Sequence, residues 1–365
     1  MSTLRRSVAV AAAVALAFGA AACESSDSAS SGDSGGKKKI ALLLPESQTT
    51  RYESFDRPLF EKKVKALCSD CEIIYSNASQ EEAKQQQQVD AAIANGANVI
   101  VLDPVNGETA GTLVAKAKAK KIPVVAYDRL IAKSDVDYYI SFDNEKVGEL
   151  QAQSLVDKLK KDGKTSGKIV MINGSPTDNN AKLFNQGAHK ILDASGFEVV
   201  PKPDFFTPEW KPENAQTFMN GQITTLGKTG FVGVYAANDG TGGGAIAAMR
   251  TAGIKPLPPV TGQDAELAAI QRIVSGEQYM TVYKPYAPEA EGAAEMAVKL
   301  ANGESVDNAT AKVNNGQKDV ASVLLPTVAV TLENLKDTVI KDGLWKVEEI
   351  CTAEYKAACT AAGIS

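Results

Sequence analysis

The chain has 365 residues, 44% of them hydrophobic and 23% charged, with a formal net charge of -5. That length sets an expectation of two domains, and the composition is that of a chain able to bury real cores, which excludes overall disorder. The acidic balance argues against a general nucleic-acid binder. The single histidine argues against zinc enzymes, triad hydrolases and most general-base chemistry.

The N-terminus reads as an export signal (residues 1–22) and not as fold. Arg5 and Arg6 form a positive segment, Val8 to Phe18 an apolar run too short to span a bilayer, and Gly19 to Ala22 a small-residue cleavage site. Cys23 follows directly, and AAAC resembles a lipobox whose cysteine becomes the lipidated first residue, although Ala20 stands where that pattern prefers Leu. Plain cleavage after Ala22 is the alternative. Glu24 to Gly36, ESSDSASSGDSGG, cannot build a core and reads as a flexible tether, with the anchor and tether together covering residues 23–37.

The body then alternates. Lys39–Leu44 reads as a strand, Phe55–Leu67 as a helix and Glu72–Tyr75 as a strand. Ser79 and Glu82 form a capping box opening a helix to Ala94, with Gln85–Gln88 read as its solvated surface. Strands over Asn98–Leu102, Ile122–Ala126 and Asp137–Ser141 follow, with helices over Thr109–Lys120 and Glu145–Lys160. Further strands are read at Lys168–Ile172, Phe197–Val200, Phe231–Tyr235, Pro259–Thr261 and Tyr279–Tyr283, with helices at Asn179–Asp193 and Pro288–Asn302 among those between and after them. This alternation means βαβ units, and more than eight strands suggest two doubly wound parallel sheets, an α/β fold. No internal repeat of 20–50 residues is visible.

Four cysteines remain after Cys23. In an exported chain they are expected as disulfides. Local pairing, Cys68 with Cys71 and Cys351 with Cys359, is the reading chosen, worth roughly 2 and 2.6 kcal/mol by loop-closure entropy. CSDC as a thioredoxin-type motif would open a helix, whereas here it follows one, so a structural staple is favoured.

Open parallel sheets bind ligands beyond the carboxyl ends of their strands. Those ends carry Glu46 to Tyr52, Asp103, Tyr127-Asp128-Arg129, Phe142-Asp143-Asn144, Asn173 to Asn180, Asn238-Asp239, Gln263-Asp264 and Lys284. Trp210, one of two tryptophans, sits in a loop between Pro208 and Pro212. Planar carboxylate, amide and guanidinium groups grip hydroxyls in pairs, and an aromatic plane packs on the C–H face of a sugar ring. Singly, each such residue reads as a helix cap, Asp239 among them, and Asp128-Arg129 as a surface ion pair; the set as a whole favours a sugar. NDGTGGGA lacks the spacing of a nucleotide fingerprint and reads as tight strand-to-helix packing. His189 reads as a helix-surface or partly packed residue with no catalytic motif beside it. No calcium loop is present, so neither a metal nor a cofactor is expected.

Three stretches carry a family resemblance: VVAYDRLIAKSDVDYYISFDNEKVGELQA from Val124, NGSPTDNNAKLF from Asn173, and VTGQDAELAAIQRIVSGEQYMTVYKP from Val260. They closely resemble the periplasmic D-xylose-binding protein family, within the class that includes ribose-, galactose- and multiple-sugar-binding proteins. The resemblance runs from about Lys38 to Gly343; the tail from about Leu344 looks different. It implies a two-lobe, type I periplasmic-binding-protein fold with a ligand cleft and a three-strand hinge. The expected lobes are 38–143 with 284–323, and 144–283 with 324–365.

Carried over by motif, the first-lobe contacts are Arg51, Asp128 and Arg129, and the second-lobe contacts Asp178, Asn180, Trp210, Asn238 and Asp264, with Lys284 at a crossing. Tyr52 stands where the family usually has Trp, next to an apparent one-residue insertion, which leaves the sugar open among xylose, glucose, arabinose and related aldoses. The implied function is a monomeric, lipid-anchored extracytoplasmic receptor delivering a monosaccharide to the permease of an ABC importer. A sensor presenting sugar to a chemoreceptor or membrane kinase is the alternative. A sugar-responsive repressor would need a DNA-binding helix pair where the signal peptide stands. A glycosidase using Asp128 and Asp264 would need one of them protonated, and the neighbouring Arg129 and Lys284 are expected to keep both ionised.

Overall fold

The computed structural model describes residues 37–364. The export signal, Cys23 and most of the tether lie outside the described residues.

Five strands build the first sheet from the N-terminal side: β1 (Lys39–Leu44), β2 (Glu72–Asn77), β3 (Val99–Leu102), β4 (Val124–Tyr127) and β5 (Tyr138–Phe142). Their pairing is parallel in the order β5-β4-β3-β1-β2. β1 shows why both faces are covered. Ile40, Leu42 and Leu44 pack with Phe60 and Val64 of α1 (Arg57–Leu67) and with Ala290, Ala293 and Ala297 of a later helix. Ala41 and Leu43 face the other way, onto Val89 of α2 (Glu82–Ala94) and Leu113 and Val114 of α3 (Gly111–Ala119). A strand buried on both faces reads as a continuous apolar run, which KIALLL is.

The second half begins with α4 (Asn144–Lys161) and β6 (Lys168–Asn173), then α5 (Asn179–Leu192), β7 (Glu198–Phe206), α6 (Pro212–Leu226), β8 (Gly233–Ala236), α7 (Asp239–Thr251), α8 (Leu267–Val274) and β9 (Met280–Tyr283). The sheet order is β7-β6-β8, again parallel. Ile169 and Met171 pack on α4 and α5, and Val170 and Ile172 on α6 and α7. α4 and α5 approach so closely that a Cβ on Gly148 would lie 2.0 Å from the Phe184 carbonyl oxygen.

The chain returns to the first half in α9 (Tyr286–Ala301), which supplies those alanines, and in β10 (Ala311–Asn314) and β11 (Asp319–Leu325). β11 runs parallel to β5, and β10 closes the edge antiparallel. Two residues later β12 (Val328–Thr331) pairs antiparallel with β9. The chain therefore passes between the halves three times, after β5, after β9 and after β11. α10 (Val347–Ile350) and α11 (Lys356–Ala361) finish a tail that packs on α8, β9 and β12. Cys68–Cys71 and Cys351–Cys359 stand as local pairs, with Cα separations of 5.3 and 5.8 Å.

Several expectations need correction. Ser79 does not cap α2: it has φ of 54°, the N-cap position falls to Glu81, and no side chain caps it. Gln85 is buried, not solvated; its amide donates to the Asp103 carbonyl at 2.7 Å and accepts from Val105 N–H at 2.8 Å, clamping the loop after β3. Asn238, not Asp239, caps α7, in a capping box with Thr241. The strand read at Pro259–Thr261 is a single bridge, Val234 to Val260. β7 continues through Pro201 and Pro203, where the sequence reading stopped, because an edge strand tolerates residues without an N–H. β10, β11 and β12 were not read from the sequence; β10 makes the first sheet mixed, and β12 with β9 forms a separate antiparallel pair, while β7-β6-β8 is wholly parallel.

Candidate functional site

A cavity lies where the carboxyl ends of both sheets meet. It is lined by Arg51, Tyr52, Asp128, Arg129, Asp178, Asn180, Trp210, Asn238, Asp264 and Lys284, all ten residues named from the sequence, together with Thr49, Phe184 and Gln263.

Arg51 stands at the start of a π-helical turn, Tyr52–Asp56, just beyond β1. Its guanidinium is buried and held by Asp56 (Nε to Oδ2, 2.9 Å), by Glu289 of α9 and by Asp128 at 3.3 Å. The Tyr52 hydroxyl donates to Asp128 at 3.0 Å. Asp128 and Arg129 follow β4 but do not pair with each other at a surface. Arg129 is 2% exposed and meets Asp178 at 3.0 Å, Glu46 at 3.4 Å and Asp103 at 3.5 Å. Asp178 comes from the loop after β6, so the Arg129–Asp178 pair joins the two halves. Asp178 also accepts from the Trp210 indole N–H at 3.0 Å and from Asn180 N–H at 2.8 Å. Asn180 in turn donates to the Asp128 carbonyl at 3.1 Å. Lys284, between β9 and α9, meets Asp264 at 2.9 Å, both nearly fully buried.

Three of these residues sit in the left-handed backbone region: Asp128 (φ 54°), Trp210 (φ 57°) and Asp264 (φ 96°). Non-glycine residues held there cost free energy, and such strain clusters at functional sites. Trp210 is wedged against Gly174 at the end of β6, where a Cβ would lie 1.9 Å from the indole. Its ring meets Phe184 edge-on, with centroids 6.5 Å apart.

The lining holds three cations, Arg51, Arg129 and Lys284, and three carboxylates, Asp128, Asp178 and Asp264. Burial pushes Asp128 up, but Arg51, Lys284 and Arg129 outweigh it and hold the carboxyl below its usual range. Beneath the lining, burial drives Asp103 and Glu289 well above the usual carboxylate range and raises Glu46, despite the nearby arginines. The site is therefore balanced in charge and rich in both donors and acceptors. Among the described residues, no cluster of three or more His, Cys, Asp or Glu side chains is arranged to hold a metal ion.

His189 lies between two carboxylates. Asp193 one turn on and Asp204 of β7 lie 2.9 and 2.8 Å from its two ring nitrogens, on the outer surface of the second half. Phe184 was detectable as the residue one helical turn after Asn180, hence on the same face. Gln263 is marked in the sequence only by its place at a strand end. Thr49 carried no signal beyond its place before Arg51.

Residues 40–305 match the family model described as a periplasmic binding protein domain. The chain belongs to this family of binding proteins, which are not enzymes, and has its type I fold. Within the family it is 42% identical to the D-xylose-binding periplasmic protein of Escherichia coli K12, over 86% of this chain and 92% of that one. The D-xylose-binding periplasmic protein of Haemophilus influenzae is 41% identical over the same shares. A crystal structure of an ABC transporter solute-binding protein from Clostridium phytofermentans with bound β-D-glucose aligns with a TM-score of 0.78 and 30% identity. That alignment covers 86% of this chain and all of that chain.

Proposed function

We propose that the chain captures a neutral monosaccharide, D-xylose or a close aldose, between its two lobes and delivers it to the permease of an ABC importer. Cys23 lipidation and the tether hold it at the outer face of the cell membrane, where it works as a monomer. The lobes are 38–143 with 284–325, and 144–283 with 326–365, the last crossing falling two residues beyond the expected 323 because β11 stays paired with β5 through Leu325.

The observation that carries this reading is the composition of the cavity. Charged groups of both signs in equal number suit a ligand with no net charge, since a phosphate or carboxylate would call for an excess of cations. Paired carboxylate, amide and guanidinium groups from both halves match a ring of hydroxyls, and Trp210 offers the apolar plane. Closure follows from contacts made on both sides, so the sugar stabilises the closed state by touching both lobes.

A thermal-shift screen against a panel of monosaccharides tests the reading. A ligand present at a hundred times its Kd stabilises the fold by about 2.7 kcal/mol. D-xylose is expected to give a clear rise in Tm and phosphorylated sugars none; a flat panel would remove the sugar assignment. Cys23→Ala is expected to release the protein from the membrane with unchanged sugar affinity, and full retention on the membrane would remove the anchor.

A further inference from the structure

The tail beyond Leu344 lies outside the polar cavity, yet it reaches both halves of the molecule. Ile350, Cys359 and Ile364 are buried against Ile270, Ile273, Tyr283 and Val330 of the second half, and the Cys351–Cys359 pair ties this segment to itself. From that base the Trp345 indole N–H donates to the Ala265 carbonyl at 2.8 Å. Ala265 (φ 50°) and Asp264 (φ 96°) form the strained turn that points a carboxylate at Lys284. The same indole meets Phe55 edge-on, with centroids 5.1 Å apart at 75°. Phe55 belongs to the first half, inside the turn that begins with Arg51 and ends with Asp56. It stacks on Tyr286 at 5.4 Å, whose ring lies under the Arg51 guanidinium at 4.5 Å and whose hydroxyl donates to the Asp264 carbonyl.

We propose that Trp345 is a positioning residue and a latch: it holds the Asp264–Ala265 turn in its strained form and, through Phe55, fastens the lobes in the closed state. This rests on the cavity being the monosaccharide site. The latch contact forms only when the lobes are together, so it slows release and leaves capture nearly untouched. The hydrogen bond and the aromatic contact are separable. Trp345→Phe keeps an aromatic edge for Phe55 and loses the bond to Ala265, whereas Trp345→Ala loses both.

The test is stopped-flow binding of D-xylose to the full mature chain, with circular dichroism and the ligand-free Tm as checks on folding. Trp345→Ala is expected to raise the dissociation rate roughly tenfold with an association rate within about twofold of wild type, since changes within one interface fall mainly on dissociation. Trp345→Phe is expected to lie between, and Phe55→Leu on top of Trp345→Ala to add little. A wild-type dissociation rate in Trp345→Ala, or a loss carried by association alone, overturns the latch. Should Trp345→Ala not fold, Trp345→Phe decides: no acceleration overturns the proposal. Spin labels on the two lobes supply a readout independent of sugar: without ligand, Trp345→Ala and Trp345→Phe are expected to shift the population toward longer interlobe distances. If the wild-type chain binds no sugar, the sugar reading falls, and the distance distributions alone decide the latch.

Discussion

Gly174→Ala adds one methyl group at the wall of the cavity. That methyl would lie 1.9, 2.2 and 2.4 Å from three carbons of the Trp210 six-membered ring. Carbon atoms in contact settle near 3.5–4.0 Å, so the indole must retreat by roughly 1.5 Å or more. It has little room. Trp210 is 4% exposed, Phe184 lies against it, and its N–H is committed to Asp178 at 3.0 Å. A retreat of that size takes the N–H beyond hydrogen-bond range. Overpacking costs about 1–3 kcal/mol, and a lost bond to a charged acceptor about 1.5–3 kcal/mol. The second loss also loosens Asp178, and with it the Arg129 pair that joins the lobes. D-xylose affinity is expected to fall about 10- to 100-fold by isothermal titration, a range of about 1.4–2.8 kcal/mol. Tryptophan fluorescence should change even without sugar, because Trp210 is one of two tryptophans. Wild-type affinity with an unchanged spectrum would show that Trp210 does not occupy the wall described above.

Other expected outcomes are as specific. Asp264→Ala leaves Lys284 buried without its partner and is expected to cost about 3–5 kcal/mol in urea denaturation, whereas Asp264→Asn, which tolerates positive φ, costs less but still weakens sugar binding; equal stability of Asp264→Ala and wild type would mean the pair contributes nothing. Burial lifts Asp239 to about 7, against the opposing pull of Arg272, so the folded chain holds a proton that the unfolded chain releases near pH 4. The stability this group supplies is therefore full at low pH and declines as pH rises from about 4 to about 7. The gap in unfolding free energy between wild type and Asp239→Asn should narrow from pH 5 to pH 8, and a widening gap would reverse the argument. His189 is pulled down by burial, but its bonds to Asp193 and Asp204 outweigh this and raise it. Its contribution is present below the unfolded value of about 6.5 and lost as pH rises through the folded one. His189→Ala should thus lower Tm at pH 5.5 more than at pH 8.5, with D-xylose affinity unchanged at both; an equal drop at the two values would contradict the ion pairing.

The site was legible because parallel strands deliver their C-terminal residues to one edge, so YDR after β4 and GQD after the bridge at Val260 could be picked out without contacts. The acids beneath the lining were not legible. Asp56 and Glu289 hold the same arginine from positions 233 residues apart in sequence, and nothing local marks either as buried. Glu46 and Asp103 read as ordinary strand-end polar residues, and their raised carboxyls exist only because the closed fold excludes water from them. Helix starts failed for a related reason: Ser79-x-x-Glu82 has the capping spacing, but the turn after β2 places Ser79 at positive φ, where its side chain cannot reach the helix N–H groups. Of the late strands, β10 and β12 were missed because they are four residues long and half-exposed, too short for an alternation to stand out.

A crystal structure of the chain grown with D-xylose tests the central claim most directly. One pyranose is expected in the cavity between the lobes, with one ring face on Trp210 and with hydroxyls within hydrogen-bond distance of Arg129 from the first lobe and Asp264 from the second. A sugar bound elsewhere, or touching residues of one lobe only, would contradict it.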